Sequence, residues 1–153
     1  MSSRSKDAHL PRQLEEATYV AILRAADSLS QLPEQIIKGE GLTSAQYNVL
    51  RILRGAEPEG LPCNVIGERM ISRDPDMTRM LDRMEKRGLI TRQRQKDDRR
   101  VIKARVTEEG LKLLKKLDTP IRAAHKEQFR HIGPARLKSL SQLLEELGER
   151  EST

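Results

Sequence analysis

Asp74–Val106 reads DPDMTRMLDRMEKRGLITRQRQKDDRRVIKARV, and its apolar period changes midway from that of a helix to that of a strand. In the first half Asp74 is placed as N-cap, Pro75 takes the first helical position, and Asp76 sits in the first turn, where the helix dipole favours negative charge. Met77, Met80, Leu81 and Met84 form one apolar face, which leaves Asp76, Thr78, Arg79, Asp82, Arg83 and Lys86 on the polar side. Gly88 stands where a left-handed residue ends a helix, and Leu89 is placed to fold back on Met84. From Ile90 the period is two: Arg92 and Arg94 alternate with Thr91, Gln93 and Gln95, KDDRR makes a turn, and 101–106 returns as a second strand. A helix bounded at both ends and followed by an arginine-loaded hairpin predicts a winged helix.

Charge is concentrated in the same place. From Arg69 to Arg105 there are thirteen basic and six acidic residues, a net +7, whereas the whole chain of 29 basic and 23 acidic residues is +6. The remainder is therefore slightly acidic, at −1. Local basicity of this kind is the footprint of a polyanionic partner, because each neutralised phosphate releases condensed counterions. The alternative is a solvated charged face, although a face made for solubility usually mixes its signs.

A length of 153 residues fits one domain, or a small domain with dimerising extensions. Three aromatic residues (Tyr19, Tyr47 and Phe129) and no Trp leave aliphatic side chains to fill the core, which suits a mainly helical protein. No apolar run approaches the ~20 residues of a membrane span and no signal peptide precedes the first helix, so a soluble, cytoplasmic protein is expected. The single cysteine, Cys63, excludes an intrachain disulfide and a Cys-based zinc cage. His9, His125 and His131 lack ligand spacing, and no metal or cofactor is implied. No constellation of nucleophile, base and orienting group stands out, so an enzyme is not expected.

Outward from the central stretch, Leu14, Thr18, Ile22, Ala25, Leu29, Leu32 and Ile36 mark a long first helix, in which Pro33 predicts a kink or break near Leu32. A reversal at 39–41 follows. Thr43 and Gln46 form a capping box for the second helix, with Leu42 and Tyr47 as its hydrophobic staple. A short third helix over 63–70 packs Val65, Ile66 and Met70 inward, and Pro62 offers it no capping oxygen. Thr107 caps the fifth helix, with Val106 and Leu111 as staple and Leu114, Leu117, Ile121 and Ala124 as its stripe. After Gly133-Pro134, the last helix carries Leu137, Leu140, Leu143, Leu144 and Leu147 in a heptad-like seam. The terminal helices have more apolar face than a small winged helix alone covers.

The third and fourth helices form a helix-turn-helix, whose second helix places its N-terminal residues against base edges in the major groove. Pro75, Asp76, Thr78 and Arg79 are then the base-facing candidates, with Arg73, Arg83 and Lys86 flanking toward phosphate. Arg79 is suited to a bidentate pair with guanine, and Thr78 to a thymine methyl or a phosphate. Asp76 has three readings: it accepts from a cytosine amino group, it orients Arg79, or it only serves the helix dipole. In the hairpin Arg92, Arg94, Lys96, Arg99 and Arg100 suit phosphates or a narrow minor groove. Asp97 is placed to orient the Arg99 guanidinium.

The run LTSAQYNVLRIL, the helix TRMLDRMEKRGLI, the wing DDRR and the restart VTEEGLKLL resemble the MarR family of bacterial and archaeal transcription regulators. The resemblance is close over about 42–114. The wing's D-x-R, followed by a strand and T-E-x-G, is its specific part. It implies a homodimer whose N- and C-terminal helices interlock, with two winged-helix lobes on a pseudo-palindrome of double-stranded DNA. Asp97 and Arg99 match the D-x-R, which makes Arg99 the candidate minor-groove arginine. Pro62 and Pro75 depart from the Ser, Thr or small polar residues usual at those positions, and Pro33 departs from a continuous first helix. Cys63 lies in the third helix, whereas the family's peroxide sensors use the first. The family's effector pocket, between dimer helices and DNA lobe, nominates Tyr19 and Tyr47, although tyrosines so placed are more often core.

The expected fold is mainly α with a small β-hairpin wing: a winged helix-turn-helix plus N- and C-terminal dimerisation helices. Its expected parts are a disordered N-terminus (1–8), an N-terminal dimerisation helix (9–41), the DNA-binding lobe (42–106) and C-terminal dimerisation helices (107–153). By the resemblance, the expected function is a dimeric, sequence-specific repressor released by a small apolar or phenolic effector, which disfavours the ~34 Å separation of recognition helices that successive major grooves demand. The rival readings are a sequence-independent architectural DNA binder and a winged-helix protein-interaction module.

Overall fold

A computed structural model describes residues 10–151; the expected disordered N-terminus, 1–8, and His9 lie outside the described residues. The order is α1 (Leu10–Gly39), α2 (Ser44–Gly55), β1 (Leu61–Pro62), α3 (Cys63–Arg69), α4 (Met77–Lys86), β2 (Ile90–Arg94), β3 (Ile102–Val106), α5 (Glu108–Gln128) and α6 (Pro134–Glu151). The strands form one antiparallel sheet in the order β1-β3-β2, so the expected hairpin gains a third strand. β1 is two residues long and pairs Leu61 with Ala104 and Pro62 with Lys103. It lies on the edge, where a proline's missing N–H costs no ladder bond.

Local signals set most of the boundaries. The Gln46 amide donates to Thr43 Oγ1 and the Thr43 amide to Gln46 Oε1, both at 3.1 Å, which completes the capping box. Gly88, at φ +76°, ends α4 as the glycine after the cap, and the Leu89 amide donates to the Met84 carbonyl (3.0 Å) and the Gly88 amide to that of Glu85 (2.9 Å), a Schellman pair. Thr107 Oγ1 accepts from the Gly110 amide at the start of α5 and donates to the Gly88 carbonyl. The glycine of the T-E-x-G run has a packing reason, since a Cβ at Gly110 would collide with the Leu89 carbonyl oxygen and Val106.

Two expectations are corrected. α1 is a single helix through Pro33, not two. Proline lacks the N–H that would bond the carbonyl four residues earlier, that of Leu29; Gln128 Nε2 on α5 donates to that carbonyl instead, at 2.7 Å. The recognition helix starts at Met77, not after an Asp74 cap. Asp74 Oδ1 does accept from the Asp76 amide (2.8 Å), but Asp76, at φ −122° and ψ 43°, is outside the helical region. The chain therefore makes an Asx turn over 74–76 before the first α-type bond, from the Met80 amide to the Asp76 carbonyl.

The core lies inside the lobe: Val49, Leu50, Leu53, Ile66, Met84, Ile90, Ala104 and Leu114 are sealed from solvent, and Ile37 of α1 and Leu117 and Ile121 of α5 join the same cluster. Arg54 grips Asp118 with two hydrogen bonds, tying α2 to α5. The far part of α1 and the seam of α6 are left uncovered by their own chain. Leu14 is 70% exposed, Tyr19 63% and Leu143 63%, and Leu140, Leu144 and Leu147 are exposed beside it.

Candidate nucleic-acid interface

α4 is held against the core by Met80, Leu81 and Met84. This turns Thr78, Arg79, Arg83 and Lys86 to solvent, with Arg73 exposed in the preceding turn. Pro75 and Asp76 occupy that turn and not the helix, so the leading end of the recognition element is an irregular 73–76 segment, exposed except for half-buried Asp74, followed by the first helical turn. The Asp76 side chain makes no cap hydrogen bond and lies 3.7 Å from Arg79 Nε, the arrangement in which it orients the arginine. Ile71, 87% exposed, projects from the turn between α3 and α4, with its amide donating to Asn48 Oδ1 at 2.8 Å. Periodicity gave no sign of Ile71, because the turn follows none.

The hairpin cations divide into two groups. Arg92 is drawn inward: its side chain is 18% exposed, Nη2 lies 3.0 Å from Glu85 Oε1 and 3.1 Å from Asp82 Oδ1, and the Arg92 amide donates to Glu85 Oε2 at 2.8 Å. Burial alone would lower its pKa, but the hydrogen bonds and charge of Glu85 and then of Asp82 outweigh that and hold it above the ordinary arginine value. Asp82 is pulled below the usual carboxylate value, first by its hydrogen bond to Lys86 (3.0 Å) and also by Arg92. These contacts form a bracket between α4 and β2, so Arg92 fixes the angle between recognition helix and wing.

Arg94, Lys96, Asp97, Arg99 and Arg100 remain on the exposed wing. The tip is closed by the Val101 amide on the Asp98 carbonyl and by Asp98 Oδ1 accepting from the Arg100 amide. The expected Asp97–Arg99 pairing does not form. Arg94 Nη1 donates to the Arg99 carbonyl at 3.0 Å instead, so a neighbouring arginine holds the backbone that presents Arg99.

Tyr47 is packed in the core with its ring 5.9 Å from the Arg51 guanidinium, whereas Tyr19 is exposed on α1, and within one chain the two do not meet. Burial pushes the Cys63 thiol above its ordinary pKa, only partly opposed by the charge of Arg92, which is the reverse of an activated thiolate. Among the described residues no group of three His, Cys, Asp or Glu is placed to hold a metal ion, and no helix is long and apolar enough to cross a membrane.

Comparison with known proteins agrees with this geometry. The sequence model of the MarR family matches residues 42–102, from the start of α2 into β3. The homoprotocatechuate degradative operon repressor of Escherichia coli is 28% identical over 133 residues, 87% of this chain and 88% of the relative. The organic hydroperoxide resistance transcriptional regulator of Bacillus subtilis is 30% identical over 109 residues, 71% of this chain and 73% of the relative. The crystal structure of a MarR transcription factor from Planctomyces limnophilus superposes with a TM-score of 0.65 at 35% identity, covering 95% of this chain and 98% of that one.

Proposed function

The chain belongs to the MarR family and is a DNA-binding transcriptional regulator; from that premise we propose that it acts as a homodimeric repressor on a pseudo-palindromic operator. The observation that carries the reading is the joint presentation of two DNA-sized elements on one lobe: α4, with its leading segment 73–76, and the wing, joined by Arg92, Asp82 and Glu85. In this reading Asp76, Thr78 and Arg79 meet bases in the major groove, Pro75 shapes the approach, and Arg73, Arg83 and Lys86 neutralise phosphates. Arg99 enters the minor groove with Arg94, Lys96, Asp97 and Arg100 around it.

The helices α1, α5 and α6, within the expected 9–41 and 107–153 segments, supply the dimer in this reading. The uncovered leucines of α1 and α6 are the support for this, since contiguous exposed apolar surface of that kind marks an interface. A small apolar or phenolic effector releases the operator by favouring a different spacing of the two α4 helices. That the Escherichia coli relative is named for an operon degrading homoprotocatechuate, a phenolic acid, supports the phenolic class. A sequence-independent architectural role is not favoured by relatives named as repressors and regulators of particular systems.

The test is a pair of variants titrated against a selected site and a scrambled duplex. Arg99→Ala weakens binding to both, whereas Arg79→Ala also relaxes preference at one base pair, by about 1–3 kcal/mol of discrimination. Unchanged affinity in both variants would refute the assignment.

A further inference from the structure

The outer face of the sheet carries two cations, Lys103 and Arg105, that the α4 and wing-tip contacts do not use. The register pairs Thr91 with Arg105 and Gln93 with Lys103, so these four side chains share the face opposite Ile90, Ala104 and Val106, which are buried. With Glu59 and the wing residues Arg94, Gln95 and Lys96 they line a cleft of about 350 Å³. Arg105 has one carboxylate at the edge of reach, Glu57 at 4.0 Å. Lys96 and Lys103 have no carboxylate partner among the described residues, and the Thr91 hydroxyl and Gln93 amide have no hydrogen-bond partner there either.

We propose that this cleft seats the phosphodiester backbone of duplex DNA flanking the site read by α4 and the wing tip. The proposal rests on the DNA-binding reading above. Flanking DNA fits better than a small free anion for two reasons. A small-ligand site encloses its ligand with converging donors, whereas Lys103 and Arg105 follow one another along a single strand. Lys103 and Arg105 are two residues apart on one strand, about 6.8 Å, which resembles the step between adjacent phosphates of one DNA strand. The cleft also takes in Arg94 and Lys96 of the wing. Thr91 and Gln93, directly opposite the two cations, add neutral donors of the kind that contact phosphate oxygens.

The experiment uses the full chain and two duplexes: the selected site alone, and the same site extended by about one helical turn of unrelated sequence on each side. The wild-type protein should bind the longer duplex several-fold tighter. K103Q/R105Q should lose that gain yet bind the short duplex as the wild type does, and its log–log salt slope on the long duplex should fall by about 0.9 for each phosphate contact removed. The charge-preserving K103R/R105K should retain the gain, which separates lost charge from a damaged fold. A wild-type protein indifferent to length, or a double glutamine variant that keeps the gain, would overturn the proposal. Equal loss on both duplexes would also overturn it, by placing these residues in the central contact. Failure of the wild type to bind any duplex would instead sink the DNA-binding reading and this inference with it.

Discussion

Removal of Arg92 tests the bracket that joins recognition helix to wing. Arg92→Ala deletes three side-chain hydrogen bonds, two to Glu85 Oε1 (3.0 and 3.3 Å) and one to Asp82 Oδ1 (3.1 Å). A hydrogen bond to a charged group contributes about 1.5–3 kcal/mol when well shielded. Here the arginine is mostly buried, but the side chains of Glu85 and Asp82 are 38% and 44% exposed, so water takes over much of their solvation once the arginine is gone. The expected net loss is about 2 kcal/mol, read by urea or thermal unfolding at fixed protein concentration, and a melting shift of roughly 4–8 °C for a chain of this size. On the proposed reading the inward-turned arginine positions the two reading elements without touching DNA, so affinity for the selected operator should fall more than affinity for scrambled DNA, with the salt slope unchanged. Arg92→Lys should behave similarly, since an ammonium cannot reproduce the planar fork that spans two carboxylates. A uniform loss on both DNAs with a shallower salt slope would refute the reasoning and make Arg92 a phosphate ligand. Unchanged stability would refute the bracket.

Other consequences follow from the same contacts. Gln128→Leu leaves the Leu29 carbonyl unbonded and should cost about 1–2 kcal/mol, whereas in a Pro33→Ala background, where residue 33 regains its N–H, the loss should shrink; additive losses in the double-mutant cycle would show that the glutamine does not serve that carbonyl. Asp82 has a folded-state pKa below its unfolded one, so its stabilising effect is complete above the unfolded value and is lost as pH falls through the folded value. The stability gap between wild type and Asp82→Asn should thus be flat from pH 7 to 5 and close below about 4, and a gap that widens in acid would contradict the ion pairs. If the proposed homodimer forms through α6, Leu140→Lys with Leu144→Lys should yield a monomer in sedimentation while leaving the lobe folded by circular dichroism, and a dimer that persists would remove α6 from the interface.

The lobe was legible because its boundaries are written in short-range chemistry. Thr43 and Gln46, Gly88 and Leu89, and Thr107 act within a few residues of themselves, and the structure realises each contact as expected. What escaped depends on partners distant in sequence. The continuity of α1 through Pro33 depends on a glutamine 95 positions later. Two-residue β1 exists only because β3 offers it an edge. Among the candidate site residues, type and period located the cations but not their direction, and Arg92 and Arg94 look alike in sequence. Arg92 turns in to meet two acids on α4, whereas Arg94 reaches along the wing to the Arg99 carbonyl. The Asp74 cap was read correctly as a local hydrogen bond but wrongly as the helix start, since the backbone at Asp76 leaves the helical region after the bond is made. The period-two rule applied to β3 and its register would have exposed Lys103 and Arg105 as a face of their own.

The most direct measurement is selection of binding sites from random duplexes by the purified protein at near-physiological salt, followed by affinity for the enriched site and for scrambled DNA. A dimeric operator-binding regulator should enrich a two-fold pseudo-palindrome with half-sites one helical turn apart, about 34 Å, and bind it at least hundreds of times tighter than scrambled sequence, near the low end of specific recognition. Enrichment of no motif, or of a single half-site bound by one protomer, would contradict the dimeric operator-binding regulator.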